Sequence, residues 1–419
     1  MNNRIAWIYS WLFGLAFLLL QSCVKYDTRT NIPQSAYLRV YNNIPYSKDF
    51  LHKDQIMPFL TFLFDPEMDK DGVPQNAAII GDFLGTRQLY SASYPLNAGN
   101  VGHGNNTTGG ASIINYDYPG NASVQTAPPI NGLDLSAWAQ IPSGRHRIVF
   151  VVRPFTDTPF LKLPARFRKN VLVDTTIEFK EGEVYTMETI VKDLELGEYG
   201  LYLRQESFIH QSFDDNKHYV SFYNLTGNPV TSNPTRFFKQ YYAKDNIRIS
   251  YTYRMYDEIS SVPGVIEYYR VIQPYNDLFV AALTGRFQTR APFVALPGLP
   301  KEYFYTQSGT LKTHGQLGAP GSMPYISFRL LDEAGNMLKG DDGGNASIYC
   351  NYDPATINSY NQGATTSNGI DAPVCTANLN MVSAADGKSQ VSTSINIFEL
   401  VYDRVYHIQL QRLAQAPPR

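Results

Sequence analysis

Few residues in this 419-residue chain have the types and spacing that chemistry needs. Its seven histidines are scattered at positions 52, 103, 146, 210, 218, 314 and 407, with no His-x-His pair and no His-Glu-x-x-His frame. No Gly-x-Ser-x-Gly elbow and no phosphate-cradling glycine loop is present. The reading is therefore of a non-enzyme without a cofactor. The best metal candidate is Asp65-Pro66-Glu67-Met68-Asp69-Lys70-Asp71-Gly72. There Asp65, Asp69 and Asp71 could offer hard oxygen ligands to Ca²⁺, with Gly72 permitting the turn. An EF-hand would need a Glu six residues beyond that glycine, and position 78 is Ala. A solvated acidic turn between strands fits the same residues. Aromatic runs occur at Phe237-Phe238, Tyr241-Tyr242, Tyr251-x-Tyr253 and Tyr268-Tyr269, with Tyr251, Tyr253, Tyr268 and Tyr269 the binding candidates. They suit either a stacking platform for sugars or partners, or the filling of a β-sandwich.

Composition narrows the class. Aromatics reach 13% and charged residues only 17%, with 30 Tyr, 23 Phe, 26 Pro and 30 Gly. Tyr and Phe favour strands, and Pro and Gly supply turns. An all-β exported protein is expected. Basic residues number 35 against 37 acidic, and removing the first 22 residues takes away Arg4 alone, leaving −3. Such a balance argues against a nucleic-acid partner, which requires a concentrated positive field.

Cys23 follows an apolar run from Ile5 to Leu20, ahead of which Arg4 is the only charge. That is the layout of a secretory signal. Leu20-Gln21-Ser22-Cys23 resembles the lipobox of bacterial lipoproteins, with Gln21 the departure from the pattern. The resemblance implies cleavage before Cys23 and acylation of its thiol, hence anchoring in outer-membrane lipid. Residues 1–22 then form the signal peptide and 23–34 a tether. Cys350 and Cys375 remain, and in an oxidising compartment two thiols flanking a Gly/Asn/Ser/Thr-rich loop suit one disulfide. Two unpaired thiols are the alternative.

Period-two patterning marks the strands. In Tyr37-Leu38-Arg39-Val40-Tyr41-Asn42, Tyr37, Arg39 and Tyr41 share one face and Leu38 and Val40 the other. Strands are expected at 58–65, 145–152, 247–254, 265–271, 278–281, 302–306 and 325–330. Thr176–Phe179 and Val184–Val191 suggest a closing hairpin around Lys180-Glu181-Gly182-Glu183. Tyr219-Val220-Ser221-Phe222-Tyr223-Asn224 echoes the opening strand, and Val405-Tyr406-His407-Ile408 echoes Val184-Tyr185-Thr186-Met187. Two copies of one β-domain, 35–206 and 207–419, explain both echoes.

The phrases at Tyr37–Pro45, Ser143-Gly144-Arg145-His146 and Gly182-Glu183-Val184-Tyr185-Thr186 resemble a domain of unknown function in Bacteroidota-type lipoproteins. That domain is an Ig-like or transthyretin-like sandwich. The resemblance implies two such domains on an outer-membrane lipoprotein, lipid-anchored and on either side of that membrane. Its expected work is that of an accessory subunit of an outer-membrane barrel protein or complex, in nutrient uptake or protein biogenesis. Arg404-Val405-Tyr406-His407-Ile408 is loosely similar to the C-terminal strand of fimbrillin-type subunits. A pilus subunit is thus a second expectation, and a surface glycan-binding protein a third.

Overall fold

The computed structural model describes residues 32–44, 59–87, 118–214, 217–231, 242–257, 268–300, 303, 324–338, 347–351, 377–378, 394–402 and 404–411. Gln34–Arg419 forms one compact unit and Met1–Pro33 is divided from it. The fold is an all-β sandwich. Helical structure among the described residues is limited to short 3-10 turns, Phe160–Lys162, Ala165–Phe167 and Ser207–His210, and to Tyr303.

Four sheets carry the architecture. Sheet I has the order β4-β1-β7-β8, from Ala139–Pro142, Ser35–Asn42, Val184–Asp193 and Glu198–Gln205. Sheet II has β3-β2-β5-β6, from Pro74–Leu84, Leu60–Met68, Gly144–Val152 and Val171–Phe179. Sheet III has β13-β9-β17-β18, from Val294–Pro297, Lys217–Asn224, Ser394–Val401 and Arg404–Gln411. Sheet IV has β11-β10-β14-β15-β16, from Tyr268–Val271, Asn246–Asp257, Pro324–Leu331, Ser347–Asn351 and Ala377–Asn378. Its β12, Leu278–Thr284, also pairs with β10.

Burial gives the layering. Leu38 and Val40 of β1 and Met187 of β7 share a core with Phe62 and Phe150 of sheet II. The same core reaches Ile395, Ile397 and Ile408 of sheet III. The other face of sheet III, with Phe222, Phe398 and Leu400, packs on Ile249, Phe328 and Leu330 of sheet IV. The layers therefore run II, I, III, IV. Sheet I is covered on both faces, which is why β7 has eight consecutive buried residues, Val184–Val191.

Sheets I and III are built alike. In each, the opening strand pairs parallel with a late strand (β1 with β7, β9 with β17), and that strand pairs antiparallel with the next. Tyr41 stands opposite Glu188 and Tyr223 opposite Glu399, so Tyr37–Asn42 and Tyr219–Asn224 are equivalent. Asn42 and Asn224 end their strands the same way. Each side-chain oxygen accepts the backbone N–H two residues on, from Ile44 and from Thr226, both at 3.1 Å. The C-terminal echo is corrected: the counterpart of β7 by pairing is β17, and β18 corresponds to β8. The expected closing hairpin is corrected too. β6 pairs with β5 in sheet II while β7 pairs with β1 and β8 in sheet I, so Lys180–Glu183 is a crossing between layers. A local turn signal cannot distinguish the two, because Gly182 takes φ 75° in either case.

The residues before and after 206 meet closely at Gly227. Asn228 N–H donates to the Lys192 carbonyl at 2.7 Å and Leu194 N–H to the Asn228 carbonyl at 3.2 Å. A Cβ on Gly227 would collide with the carbonyl oxygens of Val191 and Lys192. Backbone cannot swing aside as a flexible side chain would. Gly227→Ala is expected to lower unfolding free energy by about 1–3 kcal/mol, the usual penalty of overpacking, measured by urea denaturation.

Candidate functional site

The densest assembly of chemical groups lies between sheets I and III. Glu188 of β7 stands between Tyr41 and Tyr202 in the ladder, and Glu399 of β17 between Tyr223 and Tyr406. Two Tyr-Glu-Tyr rows thus face each other across the layer. Between them lie two arginines. The Arg87 guanidinium sits 3.7 Å from the Tyr41 ring centre and 4.7 Å from that of Tyr406. The Arg204 guanidinium sits 4.4 Å from Tyr223 and 5.9 Å from Tyr202. Each cation therefore rests on one tyrosine from each sheet, in equivalent places. Yet Arg87 comes from the segment after β3, and Arg204 from β8.

Glu399 accepts hydrogen bonds from both arginines, from Arg204 at 2.6 Å and from Arg87. Arg204 also pairs with Glu206 at 3.0 Å, whose carboxylate accepts the Thr186 hydroxyl at 2.6 Å. Glu188 lies farther out, 3.6 Å from Arg204 and 3.9 Å from Arg87, with Asn43 donating to it. The two glutamates titrate in opposite directions. Burial and the negative charge of Glu399 push Glu188 well above the usual carboxylate range. Burial also opposes the charge on Glu399, but Arg87 and Arg204 outweigh it and bring its pKa to about 2. Burial beside a second carboxylate thus favours the neutral form of Glu188, while the two guanidinium groups favour the charged form of Glu399.

By residue type this is an acid beside a base. Position decides otherwise: the side chains of Arg87, Glu188, Arg204, Glu206 and Glu399 are at most 1% exposed. A proton donor must come within hydrogen-bond reach of its substrate. Here the layers themselves cover the groups, so the cluster holds sheet I to sheet III.

An open cleft of about 570 Å³ lies beside this junction. Ile190, Leu201 and Phe287 supply apolar surface, and Lys192, Asp245 and Arg286 supply charge. The segment from Gly285 to Phe293 forms one wall and straps both sheets. Tyr202 donates its hydroxyl to the Gln288 carbonyl at 2.6 Å, and Ala291 N–H donates to the Tyr223 hydroxyl at 3.3 Å. Phe287 holds φ 59°, an uncommon conformation for a bulky side chain. Its N–H bonds the Asn224 carbonyl at 2.8 Å, and its ring packs against the core shared by sheets I, II and III.

The candidates drawn from sequence are placed elsewhere. Asp65, at φ 49°, turns β2 away from β5. Its carboxylate replaces the lost pairing by accepting Arg147 N–H at 2.9 Å, and its other oxygen bonds His146 Nδ1 at 2.6 Å. Asp69 accepts N–H groups of Asp71 and Val73 and the Gln75 amide, so it shapes its own turn. Asp65, Asp69 and Asp71 are not gathered as a Ca²⁺ cage, and no group of three or more metal-ligating side chains occurs among the described residues. Tyr251 and Tyr253 are not a surface platform. Both are buried between sheets III and IV, with the Tyr253 hydroxyl donating to the Pro297 carbonyl at 2.7 Å. Strand alternation put them on one face, and that face is the inner one.

Tyr268 and Tyr269 belong to β11, but their side chains lie outside the described residues. The same holds for Cys375 and for the Cys350 side chain, although β15 places Cys350 opposite Ala377. Cys23 and the tether up to residue 31 also lie outside them. The sequence reading missed Arg87, Glu188, Arg204 and Glu399. A signal for two of them existed: Met187-Glu188-Thr189 and Phe398-Glu399-Leu400 each put one acid into an otherwise apolar strand. No family model matches the chain, and no curated protein matches it.

The glutamates occupy equivalent places but carry unequal charge, so their variants should differ. Glu399→Gln leaves two buried arginines undercompensated and is expected to cost about 3–5 kcal/mol in urea denaturation. Glu188→Gln supplies as an isostere the neutral form that burial and Glu399 favour there, and should stay within about 1 kcal/mol.

Buried histidines add a pH dependence. Burial lowers His218 to about 4 and His407 to about 3. Both folded values lie below the ordinary 6.5, so the unfolded chain binds protons first as pH falls. Their contribution is complete above about pH 6.5 and declines toward 4 and 3, by about 1.4 kcal/mol per pH unit for each ring. His407→Gln should retain the contact to Asn396 and show a shallower loss of stability between pH 6 and 4.5 than the parent.

Proposed function

We propose that this chain is a non-catalytic outer-membrane lipoprotein, anchored through acylated Cys23, that serves as an accessory or structural subunit of an outer-membrane protein complex. In this reading residues 35–206 and 207–419 are two copies of one β-sandwich, Ig-like or transthyretin-like. The observation that carries it is the closed charge cluster between sheets I and III. The most concentrated charged groups hold layers together instead of facing a substrate. A stack held in this way offers large fixed surfaces, which suits assembly with a larger partner in nutrient uptake or protein biogenesis. The apolar run before Cys23 supplies the export and anchoring half of the proposal.

Glycan binding is the second reading, favoured by the cleft with its Phe287 wall and its Lys192, Asp245 and Arg286 rim. Apolar surface with a few convergent polar groups is the usual build of a small-ligand site. One purification separates the two. The tagged full chain, extracted from native membranes in mild detergent, should bring down a stoichiometric barrel protein. Cys23→Ser should release the chain from the membrane fraction. A chain recovered alone, binding polysaccharide in a manner lost in Lys192→Ala, would replace the accessory-subunit reading with the glycan one. A ladder of its own copies would point to a pilus subunit.

A further inference from the structure

The connection from β5 to β6 is not a tight hairpin. Residues 153–170 leave the sheet, cross its outer face and return, closed at the base where Val152 N–H donates to the Asn170 carbonyl at 2.8 Å. A buried knot holds the excursion in place. Asp82 accepts the Thr61 hydroxyl at 2.8 Å, Phe83 N–H at 2.9 Å, Phe160 N–H at 2.7 Å, and the guanidinium of Arg153. Arg153 in turn donates to the carbonyls of Thr156 at 2.8 Å and Thr158 at 2.6 Å. Phe160 and Leu163 pin the segment into Leu63, Val149 and Val151 of sheet II.

This held loop turns large apolar side chains outward. Phe155 is 57% exposed, Leu161 37% and Phe167 37%. Single exposed apolar residues are ordinary, but here three lie within thirteen residues on one held loop. The charges on the loop lean positive, five cations to the one acid Asp157. From Thr158 to Val173 the chain has Lys162, Arg166, Arg168 and Lys169 and no acid, with Asp157 and Asp174 just beyond. Arg168 donates to the Pro74 carbonyl, Lys169 lies near Asp69, and Asp174 is held by Arg147. Lys162 and Arg166 remain to face a partner, the latter with its guanidinium 4.8 Å from the Phe167 ring centre.

We propose that the 153–170 loop is a membrane-docking face, seating Phe155, Leu161 and Phe167 at the headgroup level of an anionic bilayer with Lys162 and Arg166 on the lipid phosphates. Apolar rings and chains enter the acyl boundary, while long cationic side chains keep their heads with the phosphates. A protein surface would satisfy the apolar groups, but the excess of cations over the single Asp157 favours a surface of repeated phosphates. The loop lies at the end of β5 away from Gln34, about 30 Å along a nine-residue strand. The chain from Cys23 to Gln34 reaches at most about 40 Å, enough for an anchored chain to lie with this face on the lipid. The proposal stands whether or not Cys23 is acylated.

The test uses the full chain reconstituted into phosphatidylcholine vesicles with or without phosphatidylglycerol, and tryptophan reporters compared with the parent. Phe167→Trp should shift to the blue and be quenched by brominated lipid, more strongly with phosphatidylglycerol and less in high salt. Phe279→Trp, an exposed position on β12, is the control and should not be quenched. Adding Lys162→Glu and Arg166→Glu to Phe167→Trp should reduce quenching by about tenfold while leaving the melting curve unchanged. Quenching at position 167 no greater than at the control overturns the proposal. So does a reporter shielded in native membranes but free in vesicles, which would assign the loop to a protein partner.

Discussion

The interaction on which this structure depends is the burial of four ionisable side chains between two sheets. Arg87, Arg204, Glu188 and Glu399 sit where no water reaches them, and an unpaired ion there would cost several kcal/mol. The arrangement answers that cost twice. Glu399 takes two guanidinium hydrogen bonds, and Glu188, left with longer contacts to the arginines, is pushed toward its neutral form by burial and by Glu399. Four tyrosine rings complete the enclosure, so each cation lies against aromatic faces from both sheets. A slip of either sheet would separate the rows, so the charges fix register where apolar contacts alone would tolerate a shift.

The rest of the junction follows from that registry. Gly227 lets one backbone lie against the end of β7, and the strap through Phe287 ties β8 to β9 by the tyrosines that also flank Arg204. Two equivalent sheets have thus arrived at a nearly symmetric electrostatic contact with arginines from unrelated places in the chain. Side-chain chemistry at the contact is matched more closely than the strands that deliver it. On the far side, Asp82 and Arg153 apply the same device to a surface loop, one buried ion pair holding a segment whose outer side chains are left exposed.

Much of the fold was legible from local pattern. The faces of β1 follow from alternation, with Leu38 and Val40 inside, and the Tyr37 and Tyr219 phrases mark equivalent strands because Asn42 and Asn224 end them alike. Errors arose where pattern is local and partner choice is not. Thr176–Phe179 and Val184–Val191 read as a hairpin, yet they join different layers. Tyr251 and Tyr253 read as a surface or a core, and only the presence of sheet III above them decides which.

By itself the sequence determined the all-β class, the strand faces and the turn positions, because these follow from alternation, aromatic content and glycine or asparagine at strand ends over spans of a few residues. It also marked two acids in apolar strands. Tertiary structure alone decided that Glu188 and Glu399 meet, that Arg87 and Arg204 occupy matching places between them, and that Asp65 bonds a histidine and a backbone N–H. Most of those contacts join residues 80 to more than 300 positions apart, and their energy depends on burial and on the distance between charges. Neither quantity exists until the layers have closed.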